Sequence, residues 1–220
     1  MNLDPKNILP KAEEVKKFIV FFYFIGILGF LIPHLRIYFI VITPFAIVLS
    51  TFLLAIYHSR YFKRDVFVFL VIFALGYFIE AIGVNTGLIF GNYCYGNALG
   101  IKLFNTPLLI GLNWLFLIYT STSISERITN KTILQIIIAP TLLLPYDLIL
   151  EQLAPKMEMW RWINVSVPVR NYIAWWIIAF AFTCFLKLFK INTKNPLATL
   201  LFICQFVFFI LLYFVFIIVK

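Results

Sequence analysis

The sequence predicts an all-α, polytopic integral membrane protein of about seven transmembrane helices, built as a single domain over residues 1–220. Three observations carry this. Of the 220 residues, 63% are hydrophobic and only 12% charged, against about half and about a quarter in a soluble domain. Apolar runs near the roughly 20 residues a bilayer requires recur along the whole chain. The 18 Lys and Arg residues sit mostly between those runs. A soluble core of this composition would leave its own exterior greasy, so a soluble enzyme, a disordered chain and a nucleic-acid binder are excluded. The partner this composition implies is the lipid bilayer, with no nucleic acid, and the net charge of +9 reads as membrane topology.

The predicted runs are Phe18–Ile32, Ile37–Tyr57, Val66–Phe90, Leu103–Ile124, Ile133–Leu150, Pro168–Phe189 and Leu197–Val219. The first is short and ends at Pro33-His34, with Lys16 and Lys17 placed to snorkel. Residues 1–17 are polar and no small-residue cleavage site follows, which reads as a retained anchor. Seven spans put Lys6, Lys11, Lys16, Lys17 and the second, fourth and sixth loops on one side, which then holds twelve of the 18 cations. By the positive-inside rule that side is cytoplasmic and the C-terminus lies outside the cell membrane. The last run, almost uniformly Phe, Leu, Ile and Val, reads as lipid-facing scaffold without chemistry. Cys94, Cys184 and Cys204 lack the spacing of a metal site or a disulfide framework.

An ionisable group inside a bilayer costs about 2.5–3.5 kcal/mol on insertion scales, so each one is a functional candidate. Glu80 sits within the third run. Asp147 lies near the end of the fifth, and Glu151 follows one helical turn later on the same face. The predicted topology brings all three to the outer half of the membrane, with Asn113 and Asn171 at similar depth. Gly76, Glu80, Gly83 and Gly87 form one helical stripe. Small residues permit close helix approach, so the stripe is either a packing seam or a seam shaped around Glu80. Asn171, Trp175 and Phe182 share a face of the sixth run. Asn113 either bonds a neighbouring helix or lines the site. The loops carry FGNYCYG (90–96) and WRW (160–162). Their Tyr93, Tyr95, Trp160 and Trp162 either anchor at headgroup depth or line a pocket. Pro107, Pro140, Pro145 and Pro168 read as kinks or helix starts.

What is missing narrows the chemistry. The two histidines, His34 and His58, stand outside this constellation and do not supply a clustered iron-ligand set. No dinucleotide fingerprint, phosphate loop or nucleophile elbow occurs. Carboxylate acid–base chemistry with no cofactor and no metal remains, as does binding of an apolar ligand.

The run EAIGVNTGLIFGNYCYGNALGIKLFNTPLLIGLNW (80–114), followed by YDLILEQLAPKMEMWRWINVSVPVRNYIAWW (146–176), resembles the membrane carotenoid 1,2-hydratases of the CruF type, also called bisanhydrobacterioruberin hydratases. The shared pattern is a glutamate (Glu80), then G-x-x-T-G, F-G-x-Y-x-Y and L-G. A proline and a tryptophan (Pro107, Trp114) follow, then D-x-x-x-E-x-x-A, W-x-W and P-x-x-N-Y-x-x-W. Leu88-Ile89 and Gln152 depart from it, and neither change removes a carboxylate. The resemblance implies addition of water across the terminal C1,2 double bond of an acyclic carotenoid end group. The partners it implies are the acyclic carotenoid substrate and other enzymes of the pathway. Within that reading Glu80, Asp147 and Glu151 are the catalytic candidates: Glu80 as general acid and Asp147, nearer the polar edge, as the ionised partner that stabilises the cation and orients or deprotonates water, or the two with their roles exchanged. Tyr93, Tyr95, Trp114, Trp160, Trp162 and Trp175 are aromatic substrate contacts, and Asn113 and Asn171 hold the water. The alternatives are an end-group cyclase, a carotenoid-binding membrane protein without catalysis and a proton-coupled transporter.

Overall fold

A computed structural model describes residues 9–164 and 166–218 of the chain. Lys6, Lys220 and the predicted end of the last run at Val219 lie outside the described residues. Seven helices stand where the seven apolar runs were predicted: α1 (Ala12–Leu31), α2 (Pro33–Ile56), α3 (Lys63–Thr86), α4 (Leu109–Ile128), α5 (Thr132–Leu153), α6 (Val169–Leu188) and α7 (Ala198–Tyr213), the last continued by a π-helical turn, Phe214–Ile218. The protein is therefore all-α and carried by membrane helices. Five of these segments, α2, α3, α5, α6 and α7 with its π turn, are each long and apolar enough to cross a bilayer.

The other two are weaker for visible reasons. Glu13, Glu14, Lys16 and Lys17 occupy the first two turns of α1. The second half of α4 carries Thr120, Ser121, Thr122, Ser123 and Ser125, all buried. α4 packs against α2, α3, α5, α6 and α7, so its polar face meets protein; Thr120, Ser121 and Ser125 bond back to carbonyls of their own helix, while the Thr122 and Ser123 hydroxyls have no partner among the described residues. Thr120 donates to the Phe116 carbonyl at 2.8 Å and Ser125 to that of Thr122 at 2.8 Å. The helix that reads as least membrane-like is the central one.

Helix ends follow local chemistry. Pro33 opens α2 at its first turn and Pro168 caps the start of α6, as proline's fixed φ favours. Pro140 and Pro145 lie inside α5. The third predicted run reached Phe90, but α3 stops at Thr86. Gly87 there takes φ +66° and returns its N–H to the Gly83 carbonyl at 2.8 Å, a left-handed cap open to glycine. The fourth run was predicted from Leu103. Residues 102–107 instead form a small hairpin, β2 (Lys102–Leu103) with β3 (Thr106–Pro107). Its two-residue turn, Phe104-Asn105, has φ of 49° and 60°, as a primed hairpin turn demands. Pro107 is thus a strand residue, not a kink.

α7 corrects the reading of the last run as mere scaffold. Ile203, Val207 and Leu211 face outward, while Leu201, Phe202, Gln205, Phe208, Phe209 and Leu212 are buried against α1, α4 and α5. Of the glycine stripe only Gly76 meets another helix, while Gly83 and Gly87 meet Phe90 and Asn92 in the loop after α3; the α3–α4 seam is completed by Gly111 from the other side. A Cβ on Gly76 would meet Trp114 Cβ at 2.8 Å, and one on Gly111 would meet the Phe73 carbonyl oxygen at 2.5 Å. α3 and α4 are in contact because each offers a glycine to the other.

At the end of the bundle where α2 finishes and α3 begins, His58 Nδ1 lies 2.8 Å from the Tyr119 hydroxyl, with Nε2 3.9 Å from Asp65. Asp65 caps α3 through the Phe62 N–H at 2.9 Å, and Asn195 holds the Leu54 carbonyl at 2.9 Å. Burial holds the His58 imidazole below its usual range, against the opposing pull of Asp65.

Gly111→Ala forces its methyl into the Phe73 backbone and lowers stability by about 1–3 kcal/mol, read as thermal unfolding in detergent. Gly26→Ala, whose methyl would meet only Phe208 at 3.4 Å, holds or gains stability. His58 is disfavoured as a cation in the folded state, so its contribution is present above its ordinary pKa of about 6.5 and lost as pH falls below it. Melting curves from neutral to mildly acidic pH then show a falling Tm, and His58→Asn flattens the decline.

Candidate functional site

The site forms at the opposite end of the bundle, where α3 and α5 finish and α4 and α6 begin. Two short loop strands close it. β1 (Tyr93–Tyr95) pairs antiparallel with β4 (Trp160–Trp162), in the register Tyr93↔Trp162, Cys94↔Arg161 and Tyr95↔Trp160. Side chains alternate across a strand. YCY and WRW therefore put four aromatic rings on one face and Cys94 with Arg161 on the other. Gly96 lets the strands approach, since a Cβ there would lie 2.1 Å from the Glu158 carbonyl oxygen.

The polar tips of those rings meet two glutamates. Glu80 Oε2 accepts the Tyr93 hydroxyl at 2.6 Å and the Tyr95 hydroxyl at 2.9 Å, and its Oε1 accepts the Trp114 indole N–H at 3.1 Å. Glu151 Oε2 accepts the indole N–H groups of Trp160 at 2.9 Å and Trp162 at 2.6 Å. Asn171 donates its amide to Glu151 Oε1 at 3.0 Å and to Asp147 Oδ2 at 3.1 Å. Trp160 and Trp162 are therefore carboxylate donors, not headgroup anchors. The glycine at position 76 has a second consequence: it admits Trp114 against α3, one turn from the glutamate that Trp114 bonds. Burial, and then the neighbouring Glu80, push the phenols of Tyr93 and Tyr95 well above the usual range, so both remain protonated donors.

These residues form a narrow pocket, lined by Glu80, Tyr93, Tyr95, Ile110, Asn113, Trp114, Glu151, Trp160, Trp162, Asn171 and Trp175. Trp114 and Trp175 stack with ring centroids 4.4 Å apart. Of the eleven residues singled out in the sequence, ten line this pocket. Asn113 makes no side-chain hydrogen bond to another described residue, so its amide is left for whatever enters. The exception is Asp147. Expected near the polar edge, it is fully buried and does not line the pocket. It sits one turn before Glu151 and reaches the site through Asn171, while its Oδ1 has no partner.

The three acids differ in what their neighbours can do. Every donor to Glu151 is an N–H that cannot accept in return, a setting that favours the carboxylate over the acid. Two of the three partners of Glu80 are hydroxyls, which donate to a carboxylate or rotate to accept from a carboxylic acid. Glu80 is the acid whose surroundings serve both protonation states. Among the described residues no group of three or more His, Cys, Asp or Glu side chains is arranged to hold a metal ion.

Two contributors were not singled out in the sequence. Arg170, counted only as a topology charge, spans from the first turn of α6 to the carbonyls of Gly87 at 2.9 Å and Leu88 at 3.2 Å. It thereby ties the end of α3 to the start of α6, favourably placed for a helix C-terminus. Ile110 supplies an apolar wall. Arg170 sits next to Asn171 in the P-x-x-N motif, which was the available signal; Ile110 carries none.

No curated protein and no solved structure matches the chain. Residues 42–220 match the profile of one family, a stretch that contains the whole pocket and both strands that close it. The chain belongs to the carotenoid biosynthesis protein family, and its role lies in carotenoid biosynthesis.

Proposed function

We propose that the protein is a cofactor-independent hydratase that adds water to the terminal double bond of an acyclic carotenoid. The observation that carries this is the pairing, across one aromatic pocket, of a glutamate with reversible hydroxyl partners and a glutamate with donor-only partners. Two carboxyl groups kept in different protonation states are the standard equipment for acid and base roles.

In this reading Glu80 gives its proton to the less substituted alkene carbon. The alkene π pair forms the new C–H bond and leaves a tertiary cation on the neighbouring carbon. Tyr93 and Tyr95 turn their hydroxyls to the emerging Glu80 carboxylate, and Trp114 donates to it throughout. The faces of Trp114 and Trp175 stabilise the cation, by about 0.5–2 kcal/mol for each desolvated ring. Water held by Asn113 and Asn171 attacks the cation. Its surplus proton passes to the free lone pair of Glu151 Oε1 and returns across the pocket to Glu80, which closes the cycle with only alkene and water consumed. Asp147 acts one step back, as a positioning residue that fixes Asn171. The two amides favour water over an internal alkene as the captor, and so favour hydration over cyclisation.

The decisive experiment is expression in a host that makes an acyclic carotenoid, with mass analysis of the pigments in isotopically labelled water. A hydratase yields a product heavier by one water whose oxygen comes from the label. A product of unchanged mass with a shifted spectrum identifies a cyclase, and unchanged pigment that stays bound identifies a binding protein. In the same assay Glu80→Gln lowers turnover by about two to four orders of magnitude while the protein still inserts. Glu151→Gln follows closely, and Asp147→Asn loses less than either. An Asp147→Asn variant as inactive as Glu80→Gln would return Asp147 to the reacting centre.

A further inference from the structure

A second cavity, roomier than the carboxylate pocket, lies elsewhere in the bundle. It is an open groove of about 800 Å³ between α1, α2, α7 and the loop after α5. Its wall is almost wholly apolar, with Phe30, Phe39, Phe208 and Phe209 among its rings. A smaller chamber of about 310 Å³ lies between it and the catalytic candidates. That chamber shares Ile47, Met159, Gln205 and Phe209 with the groove. It shares Ile110, Asn113 and Trp160 with the carboxylate pocket. The three spaces therefore adjoin in succession and share walls. Met159 stands at the first division and Trp160, its neighbour in the chain, at the second. Methionine is unbranched and adapts to what passes it.

We propose that these spaces form one substrate channel, in which the long hydrocarbon chain of the substrate lies in the groove and passes Met159, so that only its tip reaches Glu80. This rests on the hydratase reading for the identity of the tip, and on the cavities for the path. The occupant is a polyene. Aromatic walls pack well against an extended π-system, and the groove ends at a pocket that a saturated acyl chain has no reason to enter. The groove opens at the exposed faces of α1 and α2, where Phe21, Ile25, Ile42 and Phe45 are outward, so a substrate dissolved in lipid enters sideways. The channel also gives a role to α1, which contributes no residue to the carboxylate pocket.

Ala46 lines the middle of the groove and is far in sequence from every residue of the carboxylate pocket. Ala46→Trp obstructs the groove; Thr43→Phe obstructs it from the same helix should the first variant fail to fold. Wild type and variants are placed in nanodiscs of saturated phosphatidylcholine and given lycopene or a short acyclic isoprenoid alkene. The expected result is loss of retained pigment, measured by visible absorbance of the purified discs, together with a roughly tenfold fall in the ratio of kcat/KM for the long over the short substrate. Unchanged retention and an unchanged ratio in both variants overturn the channel while leaving hydration intact. Retention that an excess of free fatty acid abolishes in the wild type assigns the groove to acyl chains and also overturns it. If the wild type retains pigment but adds water to neither substrate, the hydratase reading falls, and loss of retention in the variants still supports the channel.

Discussion

A carboxylate taken out of water costs several kcal/mol unless hydrogen bonds replace its hydration, and this protein gathers three of them inside an apolar bundle. The rest of the molecule is arranged around meeting that demand. Glu80 and Glu151 each collect three donors, and Asn171 shares its amide between Glu151 and Asp147. Hydrogen bonds to a charged group contribute about 1.5–3 kcal/mol each, so the full sets are of the size needed. They also fix geometry. Tyr93, Tyr95, Trp160 and Trp162 are held by their tips, which leaves their ring faces turned to the pocket for an apolar guest.

Much of this was legible in the chain. Glu80 within a glycine stripe, Asp147 and Glu151 one turn apart, and the aromatic triplets YCY and WRW pointed to side chains that the fold gathers at one end of the bundle, because an acid in a lipid-length run is costly. Hydropathy, however, reports only whether a segment tolerates lipid, not which face meets which neighbour. The pairing of 93–95 with 160–162 joins segments more than sixty residues apart in the chain, and no local signal announces it. Asp147 was misplaced for a related reason. α5 runs on to Leu153, so Glu151 is its acid nearest the loops and Asp147 lies deeper.

The same limit hid the role of the outer helices. α2 and α7 are mostly apolar, as is α1 beyond its charged first two turns, and hydropathy assigns them no more than a span. Their value lies in the space they leave between them, which depends on packing and is invisible to composition. The polar stretch of α4 carries the complementary lesson. A run of Ser and Thr weakens a segment as a lipid-facing span and suits it to the centre of a bundle, where hydroxyls bond back to their own helix.

The order of the hydrogen-bond partners along the chain bears on biogenesis. Every donor follows the acid it serves. Tyr93, Tyr95 and Trp114 come 13, 15 and 34 residues after Glu80. Trp160, Trp162 and Asn171 come 9, 11 and 20 residues after Glu151. At ribosomal speeds of about 5–20 residues per second, each acid waits only seconds for its complement to emerge. Glu80 and Glu151 thus have their hydrogen-bond donors encoded close behind them, so only a short stretch of synthesis separates each acid from the groups that solvate it.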